Sequence, residues 1–159
     1  MNEQFTYFIT WTTYGTWLPG DRRGWRKINK SHQQPQPLLA EWNRNQMNEP
    51  LVLLNEVQRN KIVAVCHEHA QIRGWVLHAI SARSNHIHIV VTSDLAPKKV
   101  RDQFKANATR VLHQPPDPIT NKKVWTRGGD IEIVGTGENN LERVIAYISE
   151  AQDRKERDH

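Results

Sequence analysis

The chain has 159 residues, with 22 Lys and Arg against 17 Asp and Glu and a formal net charge of +5. That length fits one domain, 1–159, with room for a proper core, and the positive balance favours an anionic partner, nucleic acid first. Cys66 is the only cysteine, which excludes an internal disulfide and a cysteine-based zinc site, and no stretch has the ~20 apolar residues of a membrane span.

Met1-Asn2-Glu3-Gln4 lacks the basic start of a signal peptide, so a cytoplasmic protein is expected. Phe5 to Thr13 alternates, with Phe5, Tyr7, Ile9 and Trp11 on one face and Thr6, Thr10 and Thr12 on the other, which predicts a first strand. Tyr14 to Gly20 ends it with Gly and Pro. Residues 21–50 form a long polar insert, read as a functional flap or a partly disordered segment. Within it Arg22, Arg23, Trp25 and Arg26 suit phosphate contacts plus base stacking; a solvated loop anchored by Trp25 explains them equally well.

Leu54 to Arg73 reads as a helix, with Ile62, Val65, Cys66, His69 and Ile72 inward and Gly74 as its stop. His67 and His69 sit about 200° apart on such a helix and do not share a ligand easily. Trp75 to Ala82 and His86 to Thr92 read as two strands joined by a short turn, hence an antiparallel hairpin. Pro97 opens a helix to about Leu112, with Val100, Phe104, Ala108 and Val111 inward. Its Arg101 and Lys105 suit a phosphate backbone or a plain solvated face. Asp130 to Val134 is a fourth strand, and Glu138 to about Arg154 a last helix. The order is β-α-β-β-α-β, then a helix: a ferredoxin-like α+β fold with an antiparallel sheet. Helices on one face would leave the other open to a ligand.

The stretch Asn85-His86-Ile87-His88-Ile89-Val90-Val91 carries the chemistry. On a strand, residues two apart share a face and stand about 7 Å apart, so His86 and His88 can converge on one divalent ion. On the last helix Leu141, Val144, Ile145 and Ile148 form the apolar stripe. Tyr147 lies at its edge, and Gln152 near its middle, where a polar group needs a partner. His78 shares a strand with Ile80 and reads as a packed or surface histidine, with a supporting role to the His pair as the alternative.

The His-Ile-His run resembles the histidine-hydrophobic-histidine motif of HUH nucleases. With the lone tyrosine of Ala146-Tyr147-Ile148 downstream, the chain resembles single-tyrosine (Y1) transposases of the IS200/IS605 type. Thr10 to Asp21 and Trp125-Thr126-Arg127-Gly128-Gly129 resemble the REP-associated branch. The resemblance spans roughly residues 5–153, less the insert. It implies Mg²⁺ or Mn²⁺ held by His86 and His88, with Tyr147 as the nucleophile that forms a 5′-phosphotyrosine on single-stranded, hairpin-containing DNA. It also implies a DNA-contact role for Arg127. Much of the family is dimeric and the REP-associated branch includes monomers, so both states stay open. The family's best-known members place a glutamine four residues after the tyrosine. Here that position is Ala151, so Gln152 is the expected third ligand, with Glu150 in reserve. Tyr14 is the rival nucleophile. The alternatives are a domesticated DNA-hairpin-binding protein that no longer cuts, a ferredoxin-like RNA-binding domain and a replication initiator.

Overall fold

The computed structural model describes residues 3–16, 25–26, 32–135 and 138–151. In chain order the elements are β1 (Phe5–Thr12), β2 (Trp25–Arg26), β3 (His32–Gln33), α1 (Pro37–Asn45), α2 (Glu56–Arg73), β4 (Val76–Ala82), β5 (His86–Ser93), α3 (Pro97–Leu112), β6 (Asp130–Ile133) and α4 (Glu138–Ala146). A π-helical turn, Tyr147–Ala151, follows α4.

Four strands form one sheet in the order β4-β5-β1-β6, with every neighbouring pair antiparallel. Each of the two central strands is flanked on both sides. This is the ferredoxin-like arrangement, in which α2 and α3 link strands that leave room for a third between them. The alternation of β1 carries through from Tyr7 onward, while Phe5, at the strand's start, is 42% exposed. Tyr7, Ile9 and Trp11 are buried, as are Ile87, Ile89 and Val91 opposite them. They pack with Ile62, Val65, Cys66 and Ala70 of α2 and with Val100, Phe104, Ala108 and Leu112 of α3. Tyr7 keeps its hydroxyl satisfied at the edge of this core by donating to the Leu95 carbonyl at 2.8 Å.

Several boundaries and facings differ from the sequence reading. α2 starts at Glu56, not Leu54, because Asn55 and Gln58 form a reciprocal capping box, each side chain accepting from the other's backbone N–H at 2.9 Å. Leu54 instead donates its N–H to the Ser84 carbonyl at 2.7 Å and buries its side chain. Ile72 is 72% exposed, so the buried stripe of α2 closes on Ala70. On α3, Leu112 takes the buried place expected of Val111, which is only partly covered. The insert is not all loop: Pro37 opens α1, and β2 pairs with β3. The last helix stays α-helical only to Ala146, then widens into the π turn. That turn lies against β4, on the sheet face away from α2 and α3. The second face is therefore partly covered, not open.

Candidate active site

The second sheet face carries Phe8 and Thr10 from β1 and His86, His88 and Val90 from β5. The register sets His88 beside Thr10 and His86 beside Thr12. Both histidines are buried, at 6% and 5% exposure, which rules out a half-exposed surface pair. Their ring centroids stand 4.6 Å apart, so the rings lean together from the spacing of the strand. Each ring has its Nδ1 engaged nearby. Thr10 Oγ1 lies 2.8 Å from His88 Nδ1, and Asn85 Oδ1 lies 2.6 Å from His86 Nδ1. Nε2 of both rings is enclosed and is the nitrogen turned away from those partners.

Tyr147, half-buried in the π turn, stands over His88. Its ring is 6.2 Å from that of His88 and 6.2 Å from that of Phe8. Phe8 in turn sits 5.5 Å from His88. A cleft of about 460 Å³ opens here, lined by Phe8, Thr10, His88, Asp130, Glu132, Arg143, Val144 and Tyr147. Ile148, next to the tyrosine, is buried at 2% and pins the turn to the body.

The remaining candidates fall in different places. Tyr14 packs against the core beneath Lys123, whose ammonium lies 5.9 Å from its ring centroid. His78 bonds Thr92 Oγ1 at 2.7 Å, and Thr92 bonds Thr6 Oγ1 at 2.6 Å. Val90 separates this polar chain from His88 along β5, so His78 does not support the His pair. Desolvation lowers the His78 pKa below its ordinary value. His67 is exposed, and His69 packs on Trp75 and Phe104.

Among the basic residues, Lys105 turns inward. Its ammonium donates to the Thr126 and Gly128 carbonyls at 3.0 and 2.9 Å, and burial, with Arg101 nearby, lowers its pKa. Arg101 bonds its neighbour Asp102 at 3.0 Å. Lys105 is thus a strut for the 126–128 loop, a role that a helical wheel does not distinguish from a phosphate contact. Arg127, on the same loop, is exposed. Trp25 and Arg26 form β2. Arg22, Arg23 and Gln152 lie outside the described residues. Two residues absent from the sequence reading of the site are Thr10 and Asn85. The signal for Thr10 was its strand register; for Asn85 it was adjacency to the first histidine.

His86 and His88 are the described residues that could hold a divalent ion. Two enclosed nitrogens on one face are a partial donor set that leaves the other positions to oxygen, as Mg²⁺ or Mn²⁺ requires when it binds with a phosphate. Among the described residues no group of three His, Cys, Asp or Glu side chains comes together. Nor is any helix there long and apolar enough to cross a membrane.

The family model described as "Transposase IS200 like" matches residues 48–151. That is more than half of the chain, and the protein belongs to the IS200-like transposase family. A REP-associated tyrosine transposase bound to a REP hairpin is similar in structure, at 14% identity and TM-score 0.48, over 93% of this chain and 67% of that one. A provisionally assigned transposase from Deinococcus radiodurans R1 is similar at 14% identity and TM-score 0.47, over 93% of this chain and 91% of that one. None of the curated proteins matches the chain.

Proposed function

We propose that this chain is a metal-dependent single-stranded DNA transposase and endonuclease that cuts and rejoins DNA through a 5′-phosphotyrosine. The observation that carries the reading is the meeting, on one sheet face, of a leaning imidazole pair and a tyrosine ring 6.2 Å from His88. Membership of a transposase family supports the same class of chemistry. A hairpin-containing strand is the proposed substrate. The resemblance of the His-Ile-His run and Tyr147 to single-tyrosine transposases prompts that choice.

In this reading His86 and His88 hold Mg²⁺ or Mn²⁺. When bound, the ion supplies Lewis-acid polarisation of the scissile phosphate. Gln152 is the proposed third ligand. Glu150 stays in reserve. Tyr147 Oη attacks phosphorus and loses its proton, the P–O3′ bond breaks, and the departing oxygen takes up a proton as a free 3′-hydroxyl. Because the ester is conserved in the phosphotyrosine, attack by another 3′-hydroxyl rejoins strands with no energy source. Arg143 at the cleft and exposed Arg127 suit the DNA backbone, together with Arg22, Arg23, Trp25 and Arg26 of the insert.

The test is a cleavage assay on hairpin-containing single strands with Mn²⁺ or Mg²⁺, read on a denaturing gel. The expected result is a metal-dependent covalent protein–DNA band, absent in Tyr147→Phe and His86→Ala. Tight hairpin binding with no adduct under either metal would leave a DNA-binding protein in place of an enzyme. An adduct that survives Tyr147→Phe would move the nucleophile to Tyr14.

A further inference from the structure

Asn85 occupies the tip of the β4–β5 hairpin and is nonetheless 2% exposed. Its backbone is held from several sides. The Asn85 carbonyl accepts from Thr13 N at 2.9 Å and Thr13 Oγ1 at 3.3 Å. The turn is closed by Arg83 N donating to the His86 carbonyl at 2.8 Å, and Leu54 N donates to the Ser84 carbonyl at 2.7 Å. With its backbone fixed, the Asn85 side chain sets Oδ1 2.6 Å from Nδ1 of the adjacent His86 ring.

An amide oxygen can only accept a hydrogen bond, so the proton of that contact belongs to His86 Nδ1. A neutral imidazole with its proton on Nδ1 has its lone pair on Nε2, the enclosed nitrogen turned away from Asn85. We infer that Asn85 is a positioning residue that locks His86 into the Nδ1–H tautomer and fixes its ring rotation, so that the Nε2 lone pair is held on the side of the ring away from Asn85, beside the ring of His88. The consequence for metal binding rests on the proposed function; the tautomer itself is a property of the metal-free chain. An amide behind the ring has one further effect that a carboxylate would not have. It orients the imidazole without adding negative charge next to a site meant for an anionic phosphate diester.

The experiment reads the tautomer directly. Long-range ¹H–¹⁵N correlation spectra of the metal-free protein report which ring nitrogen carries the proton, with His86 assigned as the signal lost in His86→Gln. The native protein should show Nδ1–H, and Asn85→Asp should keep it, since a carboxylate accepts the same bond. Asn85→Ala should revert toward Nε2–H, the form an unconstrained histidine prefers. Mn²⁺ affinity, read by electron paramagnetic resonance, should fall about 10–100-fold in Asn85→Ala and recover in Asn85→Asp. Native His86 protonated at Nε2 would overturn the inference, as would an unchanged tautomer in Asn85→Ala. If Asn85→Ala fails to fold, the native spectrum still decides. The expected tautomers without any Mn²⁺ binding to native protein would uphold the positioning role and sink the metal reading instead.

Discussion

The ring of Tyr147 stands edge-on to the ring of His88 at an interplanar angle of 68°, and the same chain supplies both. The π turn that bears the tyrosine lies against the sheet that bears the histidine. The meeting of Tyr147 and His88 within one chain makes a direct prediction. Mixing His86→Ala with Tyr147→Phe protein should restore no adduct formation, because neither chain lends its missing part to the other. Recovery to a sizeable fraction of native activity would show that the tyrosine helix serves a partner's histidines.

Thr10 sits at Nδ1 of His88 as Asn85 sits at Nδ1 of His86. Thr10→Val keeps the volume and removes the hydroxyl. Mn²⁺ affinity should drop at least about 10-fold, by the loss of a ligand's outer hydrogen bond. Folding stability should fall by only about 1 kcal/mol. Calorimetric titration and urea unfolding separate the two effects.

The capping box at the start of α2 is far from the cleft, at Asn55 and Gln58. Asn55→Ala should cost about 1 kcal/mol of stability and leave strand cleavage unchanged under conditions where the protein stays folded. A change in the cleavage rate of fully folded protein would mean that the cap communicates with the site.

Two glycines with positive φ make an informative contrast. Gly74, at φ 74, has open space where a Cβ would go, whereas a Cβ on Gly129, at φ 144, would meet the Thr10 carbonyl oxygen at 2.6 Å. Gly74→Ala should cost roughly 1 kcal/mol. Gly129→Ala combines strain with a backbone collision and should cost roughly 2–3 kcal/mol. It should also disturb the loop that Lys105 braces and, through Thr10, weaken metal binding. Equal melting points for the two variants would contradict this geometry.

Burial pushes the Cys66 thiol up to about 12. The raised value means the folded state resists ionisation, so the contribution to stability is complete below the unfolded thiol's pKa, near 8.5. It is lost as pH climbs from there toward the folded value. Stability should fall by up to ~1.4 kcal/mol per pH unit across that window, a slope absent in Cys66→Ala. At pH 8 the folded thiol should resist alkylation and react only on unfolding.

Much of the fold was legible because β1 and the His86–Ile89 part of β5 alternate in residue type, Phe8 excepted, and a two-residue period has one structural meaning. His86 and His88 were legible for the same reason. Side-chain partners were not. The wheel of α3 shows which way Lys105 points but not that two carbonyls of the 126–128 loop wait there. Pro37 followed by Leu-Leu-Ala is a helix start, but the polar average of the surrounding insert hid it. The π turn has no periodic signature at all, since five residues of altered closure depend on what the helix packs against. Thr10 looked like one of several threonines on a polar face until the register of β1 against β5 set it beside His88.

β1 carries hydrocarbon on its odd residues, Tyr7, Ile9 and Trp11, and the cleft on two even ones, Phe8 and Thr10. The two jobs are threaded through a single backbone, and that backbone lies in the middle of the sheet, hydrogen-bonded on both sides. No local fraying can release the floor of the cleft while the core stays closed. In deuterium exchange, the amides of Ile9, Thr10, Ile87 and His88 should therefore belong to the slowest class, opening only when the whole molecule does. The floor of the cleft then has the lifetime of the folded protein itself.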